Sequence, residues 1–340
     1  MRTKTYTPRR RLAGLTLVEL MVALSIGAFL VIGAITVFMQ SRTTFRVSES
    51  ISRLQENARY VLDSLEPDLR MAHYWGLTSR TIKIQGRATP LDPIPAGLAV
   101  ANDCGQNWAI NLAEEIGGTN NGYAWACPAF NGAPQPTADT LVIRRVSEDP
   151  IILPQAGILY IQSARFQDGQ LFPGPAVPPG YVAATSQTHQ LIVNGYYVSP
   201  NSTLDTPGNP IPSLRMKTLI GGGAGGPRIV DQEVLPGVED FQVQFGIDTD
   251  PVGAVNRGSI DRYVNPGDPI ITPGDPAFLP DAQLLAVRLW FRIRAERPEN
   301  GFTDTTNYVY ADQNVAAPND QFRRTIVSRT IYIRNAIAPT

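Results

Sequence analysis

An uncharged stretch of twenty residues, 20–39, constrains this chain more than any other feature. As an α-helix rising about 1.5 Å per residue, such a stretch spans roughly 30 Å, the thickness of a bilayer's hydrocarbon core. Residues 1–14 contain no acid and five basic side chains: Arg2, Lys4, Arg9, Arg10 and Arg11. Positive flanks stay on the cytoplasmic side of a membrane. The sequence therefore predicts one transmembrane helix, with the rest of the chain across the membrane.

Glu19, at the border of the apolar stretch, separates three interpretations of it. A secretory signal peptide has an apolar core of about 7–15 residues and then a small-x-small cleavage site. This stretch is longer, and residues 40–50 contain no Ala-x-Ala. A plain membrane anchor fits the length, but it leaves Glu19 unexplained, because a carboxylate entering hydrocarbon is costly. The third interpretation accounts for Glu19 and for the residues before it.

Residues 14–20, Gly-Leu-Thr-Leu-Val-Glu-Leu, resemble the cleavage motif of type IV prepilins. In that family a basic leader ends in Gly, and four uncharged residues, a Glu and about twenty apolar residues follow. The resemblance implies that prepilin peptidase cuts between Gly14 and Leu15, and that the new amine of Leu15 is N-methylated. Two departures are Leu15, where many pilins have Phe, and a leader of fourteen residues, longer than in many major pilins. Because the cut precedes the apolar stretch, the anchor stays in the mature protein.

The motif also gives Glu19 a partner. Glu19 follows Leu15 at the (i, i+4) spacing, so the carboxylate is within reach of the amine that cleavage creates. In a filament the same carboxylate can pair with the amine of a neighbouring subunit. Either pairing offsets the cost of burying an isolated charge. We therefore expect Glu19 to act in assembly more than in membrane insertion.

A helical pattern continues beyond the apolar stretch. There is no proline between Pro8 and Pro67, so one helix is expected from about Thr16 to about Leu65. Apolar side chains recur mainly at spacings of three and four, at Phe45, Ile51, Leu54, Ala58, Val61, Leu65 and Leu69. This stripe is predicted to pack on a sheet rather than on a neighbouring helix. The expected organisation is a leader at 1–14, a transmembrane or filament-core helix at 15–40, an amphipathic helix at 41–70 and a β-rich head at 71–340.

The head reads as short strands separated by loops rich in Gly and Pro, which number 29 each. The clearest strands, 240–247 and 284–295, alternate apolar and polar residues, which is typical of a sheet with one buried face. Further strands are predicted at 81–85, 140–146, 157–163, 190–198, 214–220 and 323–334. Loops are predicted at 172–179, 207–212, 221–226 and 266–280. The predicted fold class is α+β, with a long N-terminal helix packed on an antiparallel sheet.

Three later segments, 237–250, 284–296 and 323–335, are similar to the corresponding stretches of PilW-type minor pilins. The resemblance implies a low-abundance subunit that primes pilus assembly with other minor pilins and the major pilin. It further implies contact with an inner-membrane assembly platform, a place near the pilus tip, and a head that is periplasmic before it reaches the cell surface. The nearest alternative is a minor pseudopilin of type II secretion, which shares the N-terminal motif. A tip adhesin and an anchored secreted enzyme are further alternatives.

Cys104 and Cys127 are the two cysteines of the chain. Outside the cytoplasm, two cysteines in a loop-rich stretch favour a disulfide over two free buried thiols. A zinc site would need further ligands, which the neighbouring sequence does not offer. We expect the bridge to hold a loop whose aromatic residues pack over it: Trp108, Tyr123 and Trp125.

Asp248, Asp250 and Asp261 are weak candidates for a calcium site, because hard cations take clustered carboxylates. The family often carries alternating acids here, but in this chain residues 251–254, Pro-Val-Gly-Ala, interrupt the run. A turn with solvated acids is the alternative. No other cofactor is expected.

No pattern in the sequence indicates catalysis. His73 and His189 lie outside any nucleophile or zinc motif, and the glycines at 221–226 lack the Lys-Ser/Thr of a phosphate-binding loop. Removing the five leader charges from 29 basic residues leaves 24 against 30 acidic ones, a net charge near −6. Nucleic acid binding needs a basic face, so nucleic acid is not the expected partner.

Overall fold

The computed structural model describes Gly14 and residues 16–78 and 80–336. Most of the leader, including its basic residues, and Leu15 lie outside the described residues. The chain forms two compact units, Met1–Ser52 and Arg53–Thr340. The first unit is helical wherever it is described from Leu17 on, and the second contains the end of the helix and all the described strands.

A single helix, α1, runs through Leu17–Arg70. Among the described residues, it is the one helix that is long and apolar enough to cross a membrane. It passes Pro67 and ends at Arg70, five residues beyond the expected end near Leu65 and at the last residue of the expected amphipathic segment, 41–70. In the last turn, past the proline, the Pro67 carbonyl accepts a hydrogen bond from the Met71 N–H at 3.1 Å. Buried Leu69 anchors the same turn.

The strands of the head are short, apart from five of nine or more residues. In chain order they are β1 Ile84–Gln85, β2 Ile116–Thr119, β3 Thr140–Val146, β4 Leu159–Ala164, β5 Gly169–Pro173, β6 Ser186–Ser199, β7 Ser213–Ile220, β8 Arg228–Pro236, β9 Val238–Asp248, β10 Arg262–Val264, β11 Gln283–Arg294, β12 Tyr308–Tyr310, β13 Gln313–Val315 and β14 Arg324–Tyr332. Residues predicted as a strand at 81–85 begin instead as a 3₁₀ turn, Thr81–Lys83, and only Ile84–Gln85 pair.

The larger sheet is organised around β6, whose fourteen residues let it pair with three strands. Its first half pairs antiparallel with β4, and its second half pairs with both β3 and β7. On the outside, β5 and β1 extend from β4, β2 pairs with β3, and β8 pairs with β7. The β1–β5 pair is parallel, and every other pair in this sheet is antiparallel.

The smaller sheet has the order β10-β9-β11-β14, and all its pairs are antiparallel. β9 and β11 are the two strands with the clearest period-two pattern. Their buried side chains alternate with residues on the opposite face, so that Phe241 stacks on Phe291 with ring centroids 4.8 Å apart. A separate hairpin, β12–β13, follows β11 in the chain.

Two apolar clusters form the core of the head. The first combines helix residues from Leu54 to Leu69 with the inner face of the smaller sheet and with Leu141 and Tyr196 of the larger sheet. The second contains Val142 and the two cysteines, together with apolar side chains from residues 75–112. Because neighbouring strand residues point to opposite faces, Leu141 and Val142 enter different clusters. The amphipathic end of α1 thus packs on sheets, and the predicted α+β class is confirmed.

Candidate functional site

Hydrogen bonds between Thr16 and Glu19 define the start of α1. The Thr16 backbone N–H and its hydroxyl each donate to Glu19 Oε2 at 2.9 Å. In return, the Glu19 N–H donates to Thr16 Oγ1 at 3.3 Å. This reciprocal arrangement is a capping box, which satisfies backbone donors that the first turn of a helix leaves without partners.

The capping box adds a second function to Glu19 that the sequence analysis missed. The signal was present as Thr16 followed three residues later by Glu19, just before an apolar run. Both Thr16 donors bind Oε2 of Glu19. Among the described residues, no donor binds Oε1, which can therefore accept a hydrogen bond from another group. The helix start is therefore compatible with a carboxylate that caps its own helix and also accepts an ammonium ion.

Glu19 is the one charged residue from Leu17 to Gln40. The apolar side chains of this stretch are exposed in the structure, Phe29 and Leu30 among the most exposed at 77% and 69%. An exposed apolar surface of this extent requires lipid or other helices around it. Gly14 immediately precedes this element and is exposed, whereas Leu15, the predicted methylation site, lies outside the described residues.

The structure contains the predicted disulfide between Cys104 and Cys127, with Cα atoms 4.3 Å apart. Tyr123 donates its hydroxyl to the Cys127 carbonyl at 2.8 Å. The Tyr123 ring also contacts Trp125 edge-on, with ring centroids 5.1 Å apart, and the Trp125 and Trp108 centroids are 5.5 Å apart. The three aromatic residues thus form a cluster beside the bridge, which supports a structural function for the loop.

A glycine on β6 makes room for this cluster. A Cβ atom at Gly195 would lie 2.8 Å from Trp125 and 3.0 Å from Trp108. Such distances are shorter than ordinary van der Waals contacts, so a larger residue here would displace the indole rings. The disulfide loop is therefore packed directly against the larger sheet.

The structure brings Asp248, Asp250 and Asp261 together, with a carboxylate oxygen of each within 4.8 Å of the others. Two of the carboxylates already bind backbone. Asp248 accepts from the N–H groups of Asp250 and Gly258 at 2.8 and 2.5 Å, and Asp261 accepts from the N–H of Thr249 at 2.7 Å. These hydrogen bonds shape the loop after β9, and calcium binding here stays a prediction.

The two histidines have separate structural partners. His73 Nδ1 lies 2.7 Å from Glu115 Oε2, which also accepts from the indole N–H of Trp75 at 2.9 Å. His189 is fully buried, with Nδ1 at 2.9 Å from the Ser147 carbonyl, and burial lowers its pKa. Among the described residues, no hydrogen bond joins either ring to a serine hydroxyl or a cysteine thiol.

Asp139 is a buried acid that links the two sheets. Its Oδ1 accepts from the Asn121 N–H at 2.8 Å, and its Oδ2 accepts from the Val243 N–H on β9 at 2.7 Å. Burial raises the pKa of Asp139 to about 7, and the nearby carboxylates of Asp312 and Asp240 act in the same direction. The head therefore holds a carboxyl group that changes protonation near neutral pH.

Comparisons with known proteins match both ends of the chain. The prokaryotic N-terminal methylation motif matches residues 9–35. The family model described as type IV pilus-assembly protein W matches residues 195–335, which include all four strands of the smaller sheet. No curated protein sequence matches significantly.

Among solved structures, a type IV-like pilin from Thermus thermophilus is similar over 60% of this chain and 80% of its own, with 16% identity. Its TM-score of 0.28 is too low to establish a shared fold. The two family matches fit the order of the chain, with a prepilin-type motif in the sequence and, in the described residues, an apolar helix followed by a β-rich head. The motif and the family match over residues 195–335 together support a type IV pilus minor pilin of the PilW type.

Proposed function

We propose that this minor pilin belongs to the complex that primes pilus assembly and then occupies the tip. In this proposal prepilin peptidase cuts between Gly14 and Leu15, and the new amine of Leu15 is methylated. The mature subunit waits in the inner membrane with its head in the periplasm. The assembly platform then extracts it together with other minor pilins, ahead of the major pilin.

One observation supports this proposal above the others: Glu19 is the single charge of an otherwise apolar helix start and is held there by Thr16. Moving the helix from lipid into a bundle of similar helices changes apolar burial little, because lipid and bundle are comparably apolar. Specificity must then come from packing and from the Glu19 charge. A carboxylate fixed at the first turn suits an ammonium group on Leu15 of the same chain or on a neighbouring subunit.

The same proposal covers the remaining partners and activities. The apolar helix and the prepilin motif fit a pilin anchored in the inner membrane, whereas the later location on the pilus is part of the proposal. Pilin family membership indicates a structural protein, and we propose no enzymatic activity for it. The mildly acidic remainder of the chain supports protein rather than nucleic acid partners.

A deletion strain tests the proposal against type II secretion. The expected result is loss of surface pili and of twitching, with normal secretion of exoproteins, and recovery when the full-length gene is supplied. Normal piliation combined with loss of exoprotein secretion would assign the subunit to the secretion system instead. Immunogold labelling of the head would separate tip placement, with one label at the filament end, from labels along the shaft.

A further inference from the structure

The outer face of the smaller sheet presents aromatic, hydroxyl and guanidinium groups in aligned rows. Val287, Leu289 and Phe291 of β11 enter the core, so the residues between them face the opposite side. The register places Arg288 beside Thr330, and Trp290 beside Ser328. Ser328 is exposed, and Tyr332 on the same side of β14 is 64% exposed. This surface consists of Tyr263, Arg288, Trp290, Ser328, Thr330 and Tyr332, and we term it the outer platform.

Arg288 is held at the centre of the outer platform. Its guanidinium carbon lies 3.6 Å from the ring centroid of Tyr263 and 5.7 Å from that of Trp290. Its Nε donates to Thr330 Oγ1 at 3.1 Å. Stacking and one hydrogen bond fix the plane of the Arg288 guanidinium. Among the described residues, no hydrogen bond uses its two terminal nitrogens, so their N–H groups can bind another partner.

Among the described residues, Arg288 has no ion-pair partner, whereas the other arginines of β11 and β14 each have one. Among the described residues of β11 and β14, every other arginine forms an ion pair within the head. Glu239 pairs with Arg292 and Arg324, at 3.1 and 2.7 Å. The remaining pairs are Arg294 with Glu239 at 3.8 Å, and Arg329 with Asp63 and Glu66 at 2.7 and 2.5 Å. No carboxylate of the described residues pairs with Arg288.

We propose that the outer platform docks a neighbouring pilin subunit through an acidic side chain that binds Arg288. A fixed, partly desolvated guanidinium can donate two parallel hydrogen bonds to one carboxylate. Tyr263 and Trp290 flank it, and Trp, Tyr and Arg are the residue types that dominate binding energy at protein interfaces. This inference rests on the proposed function, since it requires neighbouring subunits.

Two other binding partners, a nucleic acid and a second copy of this chain, fit the outer platform less well. A nucleic acid phosphate offers similar hydrogen bonds, but the acidic excess of the chain beyond its leader opposes a polyanion. A second copy packed by two-fold symmetry would place the platform on itself. The platform residues include no acid, so two Arg288 groups would then approach each other without a carboxylate between them.

Photo-crosslinking in piliated cells tests the proposal on the full-length protein. A photoreactive phenylalanine replaces exposed Ser328 in one strain and Phe38 of the apolar helix in another. We expect the Ser328 probe to crosslink to a different subunit that carries a prepilin motif, at a peptide containing Asp or Glu. The Phe38 probe reports incorporation into the filament independently of the platform.

Substitutions then isolate the guanidinium. Arg288→Gln is expected to lower the Ser328 crosslink by about tenfold, because a charge-assisted pair is lost. Arg288→Lys should lower it less, since the charge remains while the two-pronged geometry is lost. The matched control is Arg297→Gln, at an exposed arginine outside the strands, which should leave the yield unchanged. Thermal unfolding of Arg288→Gln in detergent should match the parent protein.

The crosslinking results test the outer platform separately from the proposed function. A Phe38 crosslink without a Ser328 crosslink, or a Ser328 crosslink indifferent to Arg288→Gln, overturns the platform and leaves the proposed function standing. A Ser328 crosslink to nucleic acid or to another copy of this chain also overturns it. Absence of both crosslinks contradicts the proposed function together with the platform.

Discussion

The carboxylate of Asp68 accepts two hydrogen bonds from the guanidinium of Arg145, at 3.0 Å from Nε and 2.5 Å from Nη2. Asp68 lies in the last turn of α1 and Arg145 lies on β3, 77 residues later. The second carboxylate oxygen accepts from Asn194 and from Tyr196 on β6, both at 2.6 Å. A largely buried ion pair therefore ties the end of the helix to the centre of the larger sheet.

Replacing Asp68 with alanine should destabilise the head by about 3 kcal/mol, because it leaves the guanidinium of Arg145 buried without its anion. Asp68→Asn should cost less, since the amide still accepts one hydrogen bond. Denaturant unfolding of the full-length protein in detergent measures both changes. The matched control is Asp63→Asn on the same helix, which loses only a partly exposed pair with Arg329. We expect under about 1 kcal/mol there, and equal losses at the two positions would contradict the buried tie.

The Glu19→Gln substitution distinguishes the helix-capping function of Glu19 from the function of its negative charge. The Gln side chain can still accept from Thr16, so the helix start and membrane insertion should be retained. Incorporation into pili should nevertheless fall as far as in Glu19→Ala, because the ammonium partner loses its anion. Membrane fractionation and immunoblots of sheared pili provide the two readouts. Normal pilus incorporation of Glu19→Gln would mean that Glu19 serves only as a cap.

The disulfide should contribute about 3 kcal/mol, the value expected for closing a loop of this length. A Cys104→Ser, Cys127→Ser double variant should lose this amount in denaturant unfolding. Its tryptophan fluorescence should also shift, because Trp108 and Trp125 pack beside the bridge. The double variant should not respond to reductant, whereas the parent should be destabilised by it. Equal stability of reduced and oxidised parent protein would rule out this contribution.

The pH dependence of stability should show the titration of Asp139. Its folded-state pKa of about 7 lies above the ordinary value of 3.8, so the folded head holds this proton more tightly than the unfolded chain. Its contribution is full below about pH 4, falls as pH rises towards 7, and is level above that. The decline should exceed about 1 kcal/mol, since one pKa unit corresponds to 1.36 kcal/mol.

Asp139→Asn should flatten this decline, although the variant loses one acceptor for a backbone N–H at every pH. Asp103, whose pKa burial raises to about 6, should leave a smaller slope in the variant. Unfolding free energies measured between pH 4 and 8 provide the comparison. An unchanged slope in Asp139→Asn would assign the titration to other groups.

The sequence predicted elements that have their own strong pattern. The start of the helix and both ends of strands β3, β9, β11 and β14 were placed within about three residues, because burial of one face imposes a readable period. The start of β6 was missed because Ser186 to His189 are polar, and pairing with β4 rather than propensity keeps them extended. β2 and β8 were missed for the same reason, since a strand's neighbours often decide its conformation.

The functional residues also differed in whether the sequence could predict them. Gly14 and Glu19 were predicted from a local motif, and the disulfide followed from compartment and cysteine count. The ion pair of Asp68 with Arg145 and the uncompensated charge of Arg288 depend on residues far apart in the chain. Sequence spacing carries no information about such contacts, so only the folded structure shows them.

The mature N-terminus of filament-associated protein tests the central claim most directly. Intact-mass and N-terminal peptide mass spectrometry of sheared pili should find a chain that begins at Leu15 with a methylated amine and retains the apolar helix. Assembled protein that still carries the leader through Gly14, or that lacks the helix, would contradict the account.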